Sequence, residues 1–525
     1  MKVALDLADA GLDVLLIESG IDGTDRARQD LCEAIVEDSA THAPMSLAVK
    51  RALGGTSHLW GGRAVPFDEV DFASRSVAPQ AAWPVPFGEV SRWYEAACKF
   101  LDCGPPNFED ASSIGVPAAD GLRFDRLERW CAQPNMQRVH GARLTAHPRI
   151  RLALDATALR INVDVERGTV SDLTAAIGGE RTRVAARAYV IAAGGLETAR
   201  LMLASRVEAP NLFGGPDGPL GRNYMGHMFG SIADIVFERS DADQAFDFAR
   251  DGSGRYRRRR FTLDGECQLE NVLLNMAAWP ELPPLDDARH GSGILSMAYL
   301  ALATPGLGSL LSPEAIRRKK LGNGPLQIWP HARNVVRDVV GSARFAGEFL
   351  MARYASPVRI PGFLVLNSAH RYAFHYHAEQ APNPASRVRL SESRDALGQP
   401  RLTIGLRFGE DDARSVLRTH ELMAQKLKTC GLARIEYKMR EEDRLSAILD
   451  QASDGFHQIG TTRMATDPRQ GVVGADARVH GVSNLFLAGS AIFPSSSQAN
   501  PTLTAVALAA RLAAHLTRAL PSMAV

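Results

Sequence analysis

The sequence predicts an α/β fold, with a Rossmann-like nucleotide-binding domain on a parallel sheet and an α+β substrate domain on an antiparallel sheet. Apolar segments that end in an acid or a glycine turn near residues 18, 194 and 489 predict the parallel strands, because ligands bind at the carboxyl ends of such strands. Short alternating segments mixed with longer helices between residues 228 and 451 predict the second domain.

Composition excludes several classes of protein. Hydrophobic residues make up 45% of the 525 residues and charged residues 23%, which is typical of globular proteins and excludes a disordered chain. Lys+Arg total 60 against 59 for Asp+Glu, so the net charge of +1 gives no field that would attract nucleic acid. The six cysteines form no C-x-x-C pair and no cluster at zinc spacing, so we expect reduced thiols, no disulfide framework and no metal.

Targeting signals are also missing from the sequence. The first residues have no apolar run followed by a cleavage site, which favours a cytoplasmic protein. Residues 294–311 carry no charge, but Pro305 and two nearby glycines interrupt them. Stable membrane insertion is therefore not expected, although an apolar loop of this kind can also touch lipid.

The N-terminal segment matches the second half of a dinucleotide-binding unit. Residues 2–10 predict a helix that stops at Gly11, and residues 12–17 predict a buried strand that ends at Glu18. In such a unit the acid binds a ribose hydroxyl, and the phosphates lie at the N-terminus of the helix. The preceding strand and its G-x-G-x-x-G turn are absent, so we expect weak cofactor binding. An ordinary αβ unit is the alternative.

Two further glycine turns predict ligand contacts. The loop at 52–62 contains Gly54, Gly55, Thr56 and Ser57, whose backbone can approach a pyrophosphate closely; an irregular turn is the alternative. Strands are predicted at 150–155, at 159–165 and from residue 189 to a Gly-Gly turn, followed by a helix at 196–204. This last join places Ala193 and Gly194 at the carboxyl end of a parallel strand.

Between these parts, residues 66–125 predict a covering segment because they are rich in Pro, Trp and Phe. In the second domain we predict strands at 231–237, 257–263, 268–275, 386–390 and 401–407, and helices at 313–320, 333–353 and 411–429. The arginine run at 255–260 could bind phosphate, but its strand spacing favours a solvated edge strand. His375 and His377 share one face of a predicted strand without a third ligand type nearby, which argues against a metal site.

The C-terminal segments are the most informative. His457 lies in the sequence GFHQIGTTRM, and a strand at 484–487 runs into a turn at Gly489 and Ser490. The segment QANPTLT follows, with Pro501 predicted as the first residue of a helix that extends to about residue 518. The N-terminus of that helix suits an anionic or electron-rich ligand edge.

This arrangement resembles the glucose–methanol–choline (GMC) family of flavin oxidoreductases. The family has a His before a G-T-x-x-M segment and a His or Asn before the last helix; here Asn500 follows His457 by 43 residues. The His–Asn pair is most similar to the branch of pyranose oxidases and bacterial sugar dehydrogenases. Four further segments resemble family motifs, at 53–62, 190–203, 221–227 and 379–388.

The resemblance implies an FAD-dependent enzyme that oxidises the CH–OH group of an alcohol or sugar. It implies that His457 removes the hydroxyl proton while hydride passes to flavin N5, because a neutral imidazole suits this step. It also implies that Asn500 holds the hydroxyl. The implied FAD contacts are Glu18 to ribose, Gly54, Gly55, Thr56 and Ser57 to pyrophosphate, Ala193 and Gly194 near adenosine, and Gly489, Ser490, Asn500, Pro501 and Thr502 near the isoalloxazine.

With the resemblance, the nucleotide-binding domain comprises residues 1–65, 126–227 and 452–520, and residues 228–451 form the substrate domain. Two alternatives remain open from the sequence. An NAD-dependent dehydrogenase would turn over without flavin, and a flavin-free remnant would act as a partner-binding or structural protein. The sequence leaves the electron acceptor open among oxygen, a quinone and a redox protein.

Overall fold

The computed structural model describes residues 1–520 except 113, 116–119, 240, 313, 323, 352–354, 357, 359 and 368. Its α-helices are α1 (Lys2–Asp9), α2 (Arg26–Asp30), α3 (Met45–Ala48), α4 (Phe87–Ser91), α5 (Tyr94–Leu101), α6 (Met136–Ala146), α7 (Gly195–Arg206), α8 (Gly265–Glu270), α9 (Gly293–Ala303), α10 (Leu307–Leu311), α11 (Glu314–Leu321), α12 (Ile328–Arg337), α13 (Val339–Leu350), α14 (Glu410–Thr429), α15 (Arg444–Gln451) and α16 (Thr502–Ala519).

The strands are β1 (Val14–Ile17), β2 (Ile35–Val36), β3 (Arg63–Ala64), β4 (Leu122–Trp130), β5 (Ile150–Ala153), β6 (Ala156–Asp164), β7 (Thr169–Ile177), β8 (Glu180–Val184), β9 (Tyr189–Ile191), β10 (His227–Phe237), β11 (Ala249–Arg250), β12 (Tyr256–Leu263), β13 (Met276–Glu281), β14 (Arg371–Glu379), β15 (Arg387–Arg394), β16 (Pro400–Gly405), β17 (Ala433–Tyr437) and β18 (Leu485–Leu487). They form five sheets in the described part of the chain.

The parallel strands predicted for the nucleotide-binding domain lie in two separate pairs, and a third parallel pairing joins β2 to β16. β1 pairs with β5, with Val14 opposite Ile150, and β9 pairs with β18, with Tyr189 opposite Leu485. Within the described residues β1 and β9 have no other strand partner, so one edge of each strand is unpaired. Leu15 of β1 is consequently 41% exposed. The α/β fold class is confirmed, and the helix α1 and the strand β1 lie where the sequence predicts them.

An eight-stranded sheet forms the second layer of the molecule. Its order is β17-β10-β14-β13-β12-β4-β3, and β11 adds to β12. The pairings along this order are antiparallel, as predicted. Strands β3 and β4 come from outside residues 228–451, so the N-terminal half of the chain contributes one edge of this sheet. The division into domains by residue number stays a prediction.

The prediction of a solvated edge strand at the arginine run is wrong. β12 lies inside the sheet between β13 and β4, and Arg258, Arg259 and Arg260 are buried. Arg258 lies opposite Glu128 in the β12–β4 register, and its Nε donates to the Glu128 carboxylate at 2.5 Å. The acids that accept from these guanidinium groups are more than 100 residues away in sequence, so local spacing could not reveal the burial.

Two other segments differ from the sequence prediction. The strand predicted at 268–275 is wrong because the short helix α8 ends at residue 270 and β13 begins only at Met276. The Asp264 carboxylate caps α8 by accepting from the Cys267 N–H at 2.8 Å. The helix predicted at 333–353 is two helices, α12 and α13, that meet at Asp338, which caps the second one. Residues 352 and 353 lie outside the described chain.

No helix in the described ranges is long and apolar enough to cross a membrane. The six cysteines are not paired with one another; five of them are buried and Cys430 is partly exposed. Burial raises the pKa of the Cys32 thiol to about 11, so this group stays protonated at neutral pH.

Candidate active site

Four segments that are distant in sequence meet at one group of side chains. His457 lies in the loop after α15, Asn500 precedes α16, His227 begins β10 and His377 lies near the end of β14. The site therefore combines residues of the parallel-strand region with residues of the eight-stranded sheet. His457 and Asn500 were predictable from their motifs, whereas the two histidines of the sheet were not predicted from sequence.

His457 and Asn500 are in direct contact. The Asn500 Nδ2 lies 2.9 Å from the His457 Nε2, which brings together the two residues that the sequence analysis paired. A left-handed turn at Gly455 and Phe456, with φ of +60° and +61°, precedes the histidine, and the His457 N–H donates to the Asp454 carbonyl at 3.0 Å. This turn fixes the direction of the imidazole.

His227 and His377 lie on the other side of the His457 ring. The Nδ1 atoms of His457 and His227 are 2.9 Å apart, and the rings of His227 and His377 stack at a centroid distance of 4.3 Å. His377 Nδ1 lies 2.6 Å from the carbonyl oxygen of Gln498, two residues before Asn500. The strand position of His377 and the motif that ends at His227 were both visible in sequence, but only the fold brings them to His457.

All three imidazoles are in an environment that favours the neutral form. Burial lowers the pKa of His227 to about 3, and burial together with the charge of Arg63 lowers the pKa values of His377 and His457 below the usual range. A buried imidazole loses the solvation that would stabilise its charged form. His457 is therefore available as a proton acceptor at neutral pH.

The three histidines offer ligand atoms within 4.8 Å of one another. This is the spacing of a cluster that could hold a metal ion, and it involves His377 but not its strand neighbour His375. The absence of a metal predicted from sequence stays a prediction.

A buried charge cluster forms the neighbouring wall. Glu128 is fully buried and pairs with the guanidinium groups of Arg63 and Arg258. The Arg63 guanidinium also lies 4.3 Å from the centroid of the Trp279 ring. Since both arginines and the indole belong to the eight-stranded sheet, this wall fixes that sheet beside the histidines.

The predicted phosphate loop adopts a tight turn. Gly54 and Gly55 have φ of +97° and +56°, which a residue with a side chain rarely adopts. The Ser57 hydroxyl donates to the Gly54 carbonyl at 2.6 Å and accepts from the Met136 N–H at 3.0 Å, so the loop is fastened to the start of α6. Thr56 lies within the same helical turn.

Glu18 lies beside this loop. Its carboxylate accepts from the Gly20 N–H at 2.7 Å, and the Leu53 N–H donates to the Ile21 carbonyl at 3.0 Å. Burial raises the pKa of Glu18 above its ordinary value. The structure thus brings Glu18 and the glycine loop together, as expected for the ribose and pyrophosphate of one ligand.

Gln458 joins the other predicted cofactor segments. Its carbonyl accepts from the Ser490 hydroxyl at 2.7 Å, and its side-chain oxygen accepts from the Leu196 N–H at 3.2 Å. Its side-chain nitrogen donates to the Ala48 carbonyl at 3.3 Å. A Cβ on Gly195 would lie 2.3 Å from the Gln458 oxygen, so only glycine allows this approach. Gln458, the residue after His457, therefore holds in place the turns that follow β9 and β18.

The residues present fit a flat, electron-rich cofactor. Ala193 and Gly194 are exposed between buried residues, and a Cβ on Gly194 or Gly489 would meet no atom within 4 Å, so small residues line an open space. Asn500 Oδ1 is buried and has no hydrogen-bond partner, which marks a polar atom that a ligand can satisfy. Pro501, predicted as the first residue of the helix, occupies the cap position of α16, and the helix begins one residue later at Thr502.

Comparison with known proteins identifies the C-terminal part of the chain. The model of the GMC oxidoreductase C-terminal domain matches residues 382–509. The chain is 32% identical to the fructose dehydrogenase large subunit of Gluconobacter japonicus over 28% of its own length and 25% of the relative. It is 24% identical to paromamine 6'-oxidase of Streptomyces fradiae over 98% of its own length and 88% of the relative.

Solved structures share the fold over the whole chain. A fungal aryl-alcohol oxidase superposes with a TM-score of 0.52 at 13% identity, over 99% of this chain and 97% of that one. Formate oxidase of Aspergillus oryzae superposes with a TM-score of 0.50 at 14% identity, over 100% of this chain and 97% of that one. The chain spans only about a quarter of the fructose dehydrogenase subunit, although it spans most of the oxidases of this fold.

Proposed function

We propose that this chain, which belongs to the GMC oxidoreductase family, is an FAD-dependent enzyme that oxidises the CH–OH group of a sugar or a related alcohol. FAD is the cofactor of the family, in agreement with the prediction from sequence. The sugar preference is supported by relatives whose names state a sugar or an aminosugar as substrate, fructose dehydrogenase and paromamine 6'-oxidase. An electron acceptor is not proposed.

The pair of His457 and Asn500 carries this proposal. When bound, FAD supplies a hydride acceptor. Oxidation of an alcohol also requires removal of the hydroxyl proton, and the neutral His457 Nε2 is the atom that can accept it. The Asn500 amide, 2.9 Å away and placed at the N-terminus of α16, can hold the hydroxyl and the developing negative charge.

The other predicted contacts assign parts of FAD to the fold. Glu18 and the turn from Gly54 to Ser57 would hold the ribose and pyrophosphate, because the structure brings them together. Ala193 and Gly194 would lie against the adenosine, and Gly489, Ser490 and Thr502 would lie near the isoalloxazine. These assignments are supported by the open space beside the glycines and by the helix N-terminus.

Turnover with added FAD tests the function. We expect the chain to reduce a dye acceptor when it is given FAD and a panel of aldoses, ketoses, aminosugars and simple alcohols. A ligand that binds only the folded state also stabilises it, by about 2.7 kcal/mol at a hundredfold excess over Kd. FAD should therefore raise the melting temperature. Turnover with NAD and no flavin, or no response of the melting temperature to FAD, would contradict the proposal.

A further inference from the structure

Helix α12 and the first turn of α13 bury polar side chains and expose apolar ones, which is the reverse of the usual pattern in a soluble protein. The buried side carries His331, Asn334 and Ser342, of which His331 and Asn334 hydrogen bond to the Ser296 hydroxyl at 3.0 Å. The side facing solvent carries Trp329, which is 84% exposed, together with several valines. A helix at the surface of a soluble protein normally buries its apolar side.

These two helices belong to a segment of the chain with many exposed apolar side chains. Ten of the eighteen exposed large apolar residues in the described chain lie between residues 307 and 351. We call this surface the apolar face; its most exposed members are Leu310, Trp329, Val336, Val339, Val340 and Met351. A concentration of exposed large apolar side chains of this kind is typical of a site of association with another apolar phase.

The segment that carries the apolar face has an excess of positive charge. Residues 307–351 contain seven Lys and Arg against three Asp and Glu, although the whole chain has a net charge of only +1. Arg333 and Arg337 are exposed on α12, one and two turns after Trp329, and no described acid lies within ion-pair distance of either. Their charges are therefore free to meet an external anion.

We propose that the apolar face docks on an anionic lipid surface, with α12 and α13 lying parallel to the bilayer. Trp and aliphatic side chains enter the boundary between headgroups and acyl chains, and arginines bind lipid phosphates. This mode of attachment needs no spanning helix, in agreement with the absence of one from the described residues. Binding of a protein partner to the same face would not require anionic lipid.

Vesicle sedimentation of the FAD-loaded chain tests this docking. We expect binding to vesicles of phosphatidylcholine with phosphatidylglycerol, and much weaker binding to phosphatidylcholine alone. Arg333→Gln and Arg337→Gln should each weaken binding about fivefold, and Trp329→Ser with Val340→Ser should weaken it at least tenfold. The control Val165→Ser, which alters an exposed valine outside the face, should bind as the parent does.

Two results would overturn the docking proposal. One is that the chain binds both kinds of vesicle equally, or binds neither. The other is a concentration-dependent dimer, measured by light scattering, that Trp329→Ser abolishes, because it would show that the face is covered by a second copy of the chain.

A second inference concerns the protons on the imidazoles of the active site, and it rests on the proposed function. His227 Nε2 lies 3.2 Å from the carbonyl oxygen of Ser496. A carbonyl only accepts hydrogen bonds, so Nε2 of His227 carries the proton, and the Nδ1 of this neutral ring must be an acceptor. The His457 Nδ1, 2.9 Å away, must then be the donor.

Asn500 gives the same assignment independently. Its Nδ2 donates to His457 Nε2 at 2.9 Å, which requires an unprotonated Nε2. The opposite assignment would direct the His227 Nε2 lone pair at the Ser496 carbonyl and an N–H of His457 at an N–H of Asn500. Both contacts would be repulsive.

We propose that His227 is a positioning residue that holds His457 in the Nδ1–H tautomer, with the Nε2 lone pair directed at the substrate hydroxyl. After His457 accepts a proton at Nε2, its Nδ1–H still donates to His227, and the His227 Nε2–H still donates to Ser496. The two hydrogen bonds on the Nδ1 side of His457 therefore persist through the proton transfer without a second proton moving. The Asn500 Nδ2–H, which donates to Nε2 in the free protein, must release that atom to the substrate hydroxyl before the transfer.

Nitrogen-15 NMR of the histidines tests this without any turnover, so it is separable from the proposed function. We expect the Nδ1–H tautomer at His457 in the parent chain and in His227→Asn, whose side-chain oxygen can replace the acceptor. His227→Phe keeps the ring shape but removes the acceptor, and we expect mixed tautomers and a kcat about 10²-fold lower with a similar KM. An Nε2–H tautomer at His457 in the parent, or an unchanged tautomer and kcat in the Phe variant, would overturn the proposal.

Discussion

His457→Ala is expected to lower kcat by about 10²- to 10⁴-fold, the usual contribution of a general base. The His457 Nε2 is the acceptor of the hydroxyl proton in the proposed reaction, and the neighbouring histidines already use their own nitrogens in hydrogen bonds to the Ser496 and Gln498 carbonyls. Steady-state kinetics with saturating FAD and the best substrate of the panel measure this loss.

The matched control is His480→Ala. The His480 Nε2–H donates to the Ala465 carbonyl at 3.0 Å, and His480 lies in a loop that has no contact with the histidine group among the described residues. Its variant should keep the parent kcat and bind FAD equally. If His457→Ala retains full kcat while the flavin spectrum is unchanged, another group removes the proton.

Glu128→Gln is expected to lower the free energy of unfolding by about 3–5 kcal/mol, because it leaves two guanidinium groups buried without a counter-charge. Glu128 is fully buried between Arg63 and Arg258, and these arginines hold the pKa of its carboxyl below its ordinary value despite the burial. Thermal and urea unfolding followed by circular dichroism measure the change.

Glu109→Gln is the control for this experiment. Glu109 also accepts from arginines, at 2.6 Å from Arg126, but its side chain is 49% exposed. An exposed pair of this kind contributes about 0–1 kcal/mol. Equal shifts in the two variants would show that the charge of Glu128 is not needed to hold the sheet beside the site.

Local sequence patterns predicted the elements whose signals are contained within a few residues. The strand that ends at Glu18, the turn at Gly194 and the helix after Asn500 all have apolar periodicity next to a turn or cap residue. The spacing of His457 and Asn500 was informative because the family resemblance already related the two positions. Their contact in the structure confirms that these positions meet, while their catalytic roles stay proposals.

Long-range partners explain what could not be predicted. From sequence alone the arginines of β12 are expected to face solvent. In the structure, Glu128 of the neighbouring strand β4 pairs with Arg258 and allows its burial. His227 and His377 belong to neighbouring strands, and only the β10–β14 pairing brings them together, with His377 opposite Phe229 and His227 opposite Glu379. The helix α8 was missed for another reason. Its cap residue, Asp264, was visible in the sequence, but the prediction followed the apolar character of residues 272–275 instead.

Gln458 limits how this enzyme can be redesigned. One residue ties Ala48, the start of α7 and Ser490 to the position directly after His457, the proposed base, through both its main chain and its side chain. A loop exchanged at any one of these places must preserve its contact with Gln458, or the base shifts as well. Grafts that alter substrate preference are therefore better confined to positions of the eight-stranded sheet other than His227, His377 and the Glu128 cluster, where side chains can change without moving this junction.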